Sequence, residues 1–358
     1  MLDRRQALQS LLAFSLAWRL PRAAGAQAAP GALGYLPWWI APGWKALSRL
    51  KLDRIALFDA TIDLEGRIAA RDWDKRAPLA DAPLDLTLTL FEQTQFDSLF
   101  SDESRRARLL GAASALLSQR FVSGIQLDIE GYAEALPAAL TGFRRWLAQL
   151  DDRRRKLGKH LSAFYPASDS FRPYDRAAAQ RMDYWVAQVY DAHWPESKVT
   201  GPLVTRNTRN TAAVPRALAR LAALGVPPAK VLLSVPLYGW EWPADSEHPG
   251  AASRGRARLL TFTDTPPQLM PNDRLAASAL AREHGLRRDA EDTPYYAYAD
   301  GAHWRQGWYE DVRSLTLKLA HERTQGYAGL AFFPLGYDKG EIVEPMLRWW
   351  ARSAPSSR

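Results

Sequence analysis

The stretch SGIQLDIEGY, residues 123–132, alternates strictly between aliphatic and polar side chains: Gln126, Asp128 and Glu130 interleave with Ile125, Leu127 and Ile129. A period of two is the mark of a strand. One face is aliphatic; the other is amide, carboxylate, carboxylate. Further apolar runs predict strands at 33–40 (LGYLPWWI), 53–62 (DRIALFDATI) and 84–91 (LDLTLTLF), and later in HLSAFYP, MDYWVAQVY, AKVLLSVPLYGW and YAGLAFFPL. Between them the period changes to that of helices. SDESRRARLLGAASALLSQR is expected to be capped by Ser101, and ALPAALTGFRRWLAQLDDRRRKLG to stop at Gly158. VPRALARLAALG, WYEDVRSLTLKLAHERTQG and EIVEPMLRWWAR are further helices.

Residues 241 to about 307 break this rhythm; they are rich in Pro, Gly, Asp and Arg, and YYAYADGAHW reads as a hairpin turning at Asp300-Gly301. Eight strands, most followed by a helix or a long connection, imply a parallel sheet. The expected fold class is α/β: a single (β/α)8 TIM barrel over residues 31–352, with a small α+β insertion at about 241–307 between strands seven and eight. An open doubly wound sheet is the rival. No G-x-G-x-x-G or phosphate loop follows an early strand to support it.

Composition matters most at the ends of the chain. MLDRR is a charged start, ALQSLLAFSLAW is an apolar run too short to span a bilayer, and Ala26-Gln27-Ala28 matches a cleavage pattern. Residues 1–28 are therefore expected to be an export signal rather than a stable membrane anchor. Arg4-Arg5 followed by Gln6-Ala7-Leu8 resembles a twin-arginine signal. The implied location is a bacterial periplasm or cell exterior, and the tail at 353–358 is expected to be disordered. Cysteine is absent, which excludes a disulfide framework, a thiol nucleophile and cysteine-ligated zinc. The net charge of +8 falls to about +5 without the signal, compatible with a solvated surface or a mild attraction for acidic polymers. No nucleic-acid reading motif is present, and a monomer is favoured.

The polar face of 123–132 is the chemical anomaly. Barrel interiors are normally filled by branched aliphatics. Acids there are costly to bury unless paired or protonated. Glu130 falls at the C-terminal end of its strand, the rim where barrel active sites sit. Two close carboxylates resist double ionisation, so one retains a proton, as a general acid near neutral pH requires. The six His residues lack metal-binding spacing and no G-x-S-x-G occurs, so neither a metal, another cofactor nor a serine nucleophile is expected.

SGIQLDIEGY resembles the D-G-x-D-x-D-x-E signature of glycoside hydrolase family 18, the chitinase-like enzymes, with Gly124, Asp128 and Glu130 in register. AQVYD (187–191), VLLSVPLYGWEW and the stretch from WYEDVRSL to FFPLG resemble later family motifs in order, the last as in bacterial wall-associated members. The resemblance implies an endo-acting hydrolase of a polysaccharide containing N-acetylhexosamine, such as cell wall, chitin or exopolysaccharide. It implies retaining catalysis in which the substrate's own 2-acetamido group is the nucleophile. Glu130 would be general acid and then base, Asp128 would orient the acetamido group, Tyr190 would donate its hydroxyl to it, and Asp191 would contact the sugar.

Four positions depart from the family pattern. Ser123 and Gln126 replace signature acids, Gln188 replaces a Met, and Phe333 stands where a Trp usually floors the sugar site. Gln126 can still hydrogen-bond Asp128 but cannot share its charge. Tyr35, Trp38 and Trp39, ending the first strand, and Tyr238, Trp240 and Trp242, ending the seventh, are candidates for further sugar contacts, and Glu92 is an extra acid near the rim. Two other functions compete. One is a lectin-like sugar-binding protein on the same barrel, disfavoured by the retained Glu130. The other is a two-carboxylate glycosidase acting on non-acetylated sugars, with Glu92 as second acid.

Overall fold

The computed structural model describes residues 28–40, 50–69, 82–130, 134–166, 173–207, 213–264 and 275–352. The segment expected to be an export signal, apart from its last residue, and the tail at 353–358 lie outside the described residues. Eight parallel strands close on themselves: β1 (Ala32–Pro37), β2 (Arg54–Thr61), β3 (Leu84–Leu90), β4 (Val122–Ile129), β5 (His160–Tyr165), β6 (Tyr184–Gln188), β7 (Val231–Pro236) and β14 (Gly329–Phe333). Around the barrel the order is β1-β14-β7-β6-β5-β4-β3-β2. The helices are α1 (Gln93–Ser101), α2 (Glu103–Leu117), α3 (Pro137–Lys156), α4 (Arg176–Arg181), α5 (Ala213–Ala223), α6 (Ala277–His284), α7 (Val312–Thr324) and α8 (Val343–Ala351). The expected (β/α)8 barrel is present.

The alternation in β4 does what its period dictates. Ile125, Leu127 and Ile129 are fully buried in the main core, together with Leu109 and Leu117 of α2 and Phe143, Trp146 and Leu147 of α3. Each such side chain contributes on the order of 1.5–3 kcal/mol through burial. The other face enters a barrel whose middle layer is polar: Gln126 registers with Thr87 on β3 and Ser162 on β5, and all three are fully buried. Below that layer Arg54 pairs with Asp85 at 2.7 Å, and the Tyr184 hydroxyl donates to the other oxygen of Asp85 at 2.7 Å.

Gly124 registers with Asp85 in that lower layer. A Cβ there would lie 2.6 Å from Asp85 Oδ1 and 2.8 Å from the carbonyl oxygen of His160. The backbone oxygen cannot swing aside, so Gly124→Ala is expected to destabilise the fold by about 1–3 kcal/mol. A urea midpoint within error of wild type would show that the barrel yields there without strain.

Local differences from expectation have local causes. Ser101 ends α1, a short helix the sequence pattern did not separate. The cap of α2 is Asp102, which accepts from the Arg105 backbone N–H at 3.0 Å. α3 stops as expected, with Gly158 in the left-handed region at φ 65°. The seventh barrel strand ends at Pro236, earlier than the apolar run suggested. After Leu237 the chain enters a second sheet, ordered β10-β9-β8-β13-β12-β11, made of β8 (Tyr238–Ala244), β9 (Arg258–Thr261), β10 (Leu275–Ala276), β11 (Arg287–Arg288), β12 (Pro294–Asp300) and β13 (His303–Trp308). Antiparallel pairing of β8 with β13, from Trp240↔Trp308 to Ala244↔Trp304, captures the residues that had looked like the end of β7. The β12–β13 hairpin turns at Asp300-Gly301 as expected, with Gly301 at φ 61°.

Candidate active site

Asp128 is the last-but-one residue of β4 and is buried; Glu130 lies just past the end of the strand, its backbone N–H donating to Leu90 O at 3.2 Å. Tyr190 and Asp191 follow β6. Asp191 adopts the left-handed conformation at φ 61°, which turns its carboxylate back toward the barrel mouth. There one oxygen accepts from the Tyr238 hydroxyl at 2.6 Å and the other from Gln188 Nε2 at 2.8 Å. These groups line a cavity of about 140 Å³ at the C-terminal rim.

The cavity is chemically two-sided. Asp128, Glu130, Gln188, Tyr190 and Asp191 form its polar side. Its aromatic side centres on Phe333, with ring centroids 5.2 Å from Phe58, 5.8 Å from Tyr35 and 6.2 Å from Tyr238, all edge-on. A ring face beside convergent polar groups suits a ligand that is both apolar and hydroxylated.

Electrostatics makes the polar side a proton store. Burial pushes the Asp128 carboxyl well above the usual range, and the neighbouring Glu130 charge, a hydrogen bond to Glu130 and the Asp59 charge add to it. Burial also raises Glu130, opposed by the hydrogen bond it accepts from Asp128. Both shifts favour a proton shared by the two. Asp191 is pushed up to about 7 by burial and by Glu130, while the Tyr238 hydroxyl and Gln188 amide hold it down. The phenols of Tyr35, Tyr190 and Tyr238 are all raised, chiefly by burial, so each remains a hydrogen-bond donor. Tyr238→Phe removes a donor to the Asp191 carboxylate, and the Asp191 titration is expected to move above about 7. Carboxyl ¹³C NMR would follow it; a midpoint that stays or falls would deny Tyr238 this influence.

Of the residues singled out in the sequence, Asp128, Glu130, Tyr190, Asp191, Gln188, Tyr35, Tyr238 and Phe333 meet in this cavity. Gln126, Trp38, Trp39, Trp240, Trp242 and Glu92 do not line it. Gln126 is fully buried and is not among the residues lining the cavity; its amide N–H reaches Ser162 Oγ at 3.5 Å. Gln126 Oε1 and Asp128 Oδ1 are both left without a partner, and the hydrogen bond that Gln126 could make to Asp128 is not seen. Trp38 points outward and packs edge-on against Trp39. Trp240 belongs to the inserted sheet and touches the site only through Tyr238, at 5.4 Å between rings; Trp242 is fully buried. Glu92 is exposed and lines a separate cavity of about 690 Å³ with Thr61, Asp63 and Arg67. It is therefore not placed as a second acid across from Glu130.

Sequence reading missed Phe58, Phe91, Phe164 and the buried Asp59. Asp59 carried the same signal that exposed Asp128, an acid inside an apolar strand. The aromatics carried none beyond their position at strand ends. Among the described residues no cluster of His, Asp or Glu is arranged to hold a metal, and no helix is long and apolar enough to cross a membrane.

Comparison with known proteins agrees with this geometry. The protein named sporulation-specific glycosylase YdhD of Bacillus subtilis (strain 168) is 26% identical over 255 residues, covering 69% of this chain and 55% of that protein. The cortical fragment-lytic enzyme of Bacillus anthracis is 25% identical over 170 residues, covering 45% of this chain and 33% of that protein. The chain thus spans about half, or a third, of the length of these relatives. Among solved structures, the family 18 chitinase of Cycas revoluta in complex with (GlcNAc)3 superposes with a TM-score of 0.72 at 20% identity, covering 89% of this chain and 99% of that one. The spore cortex-lytic enzyme SleL of Bacillus megaterium QM B1551 superposes at 0.67 and 16% identity, covering 92% and 75%. At such identities the likeness concerns the fold. The model of the glycosyl hydrolases family 18 matches residues 90–338, well over half of the sequence and the whole run from the end of β3 past β14. The chain belongs to glycosyl hydrolase family 18.

Proposed function

We propose that this protein hydrolyses glycosidic bonds next to N-acetylhexosamine in a bacterial cell-wall polysaccharide, by retaining catalysis in which the substrate's 2-acetamido group is the nucleophile. The observation that carries the reading is the placement of Asp128 and Glu130 together, beside Tyr190, in a rim cavity half acid and half aromatic; burial raises both carboxyls, which favours a proton on the pair. Glu130 gives its proton to the leaving oxygen and later takes one from water. Asp128, turned toward Glu130, is the group to orient the acetamido N–H once the proton has passed. Tyr190, kept protonated by burial, donates to the acetamido oxygen as it attacks. Cell wall is favoured over other glycans because relatives are named for spore cortex lysis. Export through residues 1–28 would bring the enzyme to that substrate.

The test is turnover of paired substrates. Peptidoglycan fragments and N-acetylglucosamine oligomers should release products, and the same oligomers after N-deacetylation should not. Equal turnover of both would remove the acetamido nucleophile and favour two-carboxylate chemistry. Binding without turnover would favour a lectin.

A further inference from the structure

Asp128 is a buried acid without a cation beside it: among the described residues lining its cavity there is no lysine, arginine or histidine. Beneath it, the layer of Thr87, Gln126 and Ser162 is neutral. Gln126 supplies no charge at the position where the family resemblance puts an acid. The titratable groups that bear on Asp128 are Glu130 on its own strand, Asp59 from β2, and the phenols of Tyr35 from β1 and Tyr190 after β6. Of the two carboxylates, Asp59 alone comes from another strand.

Its placement is built. The pairing of β2 with β3 slips between Leu57 and Ala60. Such irregularities re-aim side chains next to active sites. Here Phe58 lines the cavity, and the next residue, Asp59, is buried with one oxygen accepting from Thr61 Oγ1 at 2.7 Å and from Thr89 Oγ1 at 2.9 Å. Thr89 is the residue of β3 that registers with Asp128. Asp59, Thr89 and Asp128 therefore lie side by side across three neighbouring strands. We propose that Asp59 is a positioning residue of this active site: clamped by Thr61 and Thr89, it supplies the negative charge that keeps the proton shared by Asp128 and Glu130 from leaving the pair. The inference rests on the reading of that pair as the acid catalyst. It accounts for a pair of acids at this rim with no acid at position 126. The influence of Asp59 on Asp128 has the same sign, after burial and Glu130.

Asp59→Asn keeps the shape and an acceptor oxygen for the two threonines but removes the charge. The experiment titrates the Asp128 carboxyl by ¹³C NMR in the full chain labelled at aspartate, its resonance identified with Asp128→Asn. In parallel it records the pH dependence of kcat/KM on a fluorogenic N-acetylglucosamine oligosaccharide. In Asp59→Asn the Asp128 midpoint and the alkaline limb of the rate profile should both fall, by on the order of one pH unit, with KM little changed and the thermal midpoint retained. Adding Gln126→Asp should return the midpoint toward wild type, a rescue that a merely structural role of Asp59 would not allow. An unmoved Asp128 midpoint in folded Asp59→Asn overturns the proposal. Should that variant not fold, Asp59→Ser carries the same measurement. If the wild-type chain releases no fluorophore the glycosidase reading falls, yet the NMR midpoint still decides the place of Asp59.

Discussion

Glu130→Gln should lower kcat on any cleaved 2-acetamido glycan by about 10²–10⁴-fold while leaving substrate binding close to wild type. The amide keeps the size and one acceptor of the carboxyl but has no proton to give to the leaving oxygen. The same change should alter the titration of its neighbours in a stated direction. The Glu130 charge raises both Asp128 and Asp191, so without it both lose their protons at lower pH. Stability should respond as well. With its pKa lifted from 3.8 to about 7, Asp191 holds a proton in the native state that the unfolded chain has already released. Its contribution is therefore fully present below pH 3.8 and is lost as pH rises toward about 7. Glu130→Gln narrows that window, and the variant should be the more stable protein near neutral pH. Activity retained within a factor of about ten would take the general-acid role away from Glu130.

Asp85→Ala should be the most damaging single change to the barrel outside the catalytic mouth. It leaves the Arg54 guanidinium buried, with its side chain only 9% exposed, and strips the Tyr184 hydroxyl of its acceptor. Removing one partner of a buried pair typically destabilises by about 3–5 kcal/mol. Replacing Arg54 and Asp85 together by Met and Leu should recover most of that loss, because it is the uncompensated charge, not the absent bridge, that is penalised. Urea unfolding of the single and double variants separates the two contributions. A double variant as weak as the single one would mean that the pair itself holds the lower barrel together.

Much of the barrel was legible because its strands and helices differ in period. β4 could be oriented from three aliphatics and three polar residues alone, and the depth of Glu130 followed from where that alternation stops. What was not legible depended on pairing across distance. Nothing local in VPLYGWEW says that Tyr238 begins another sheet; that is settled by its pairing with Thr261 of β9 and by that of the following residues with β13, more than sixty positions on. The bulge that turns Asp59 toward Thr89 is likewise a property of two strands in register, not of either one. The aromatic candidates divided for the same reason. Phe333 and Tyr35 are held on the rim by the barrel's own strands, whereas Trp240 and Trp242 left it with β8. Gln126 was read as a neighbour of Asp128, correctly in sequence, but its amide turns to Ser162 across β5, which the alternation of one strand cannot reveal.

Only Leu237 separates the seventh barrel strand from the inserted sheet, and Tyr238, the first residue of that sheet, holds the Asp191 carboxylate at 2.6 Å. The insert therefore has no flexible tether on this side and shares a hydrogen bond with the candidate active site. Two bodies joined in this way cannot loosen one at a time without opening the active site, so loss of activity and loss of the inserted sheet should coincide in a single cooperative transition.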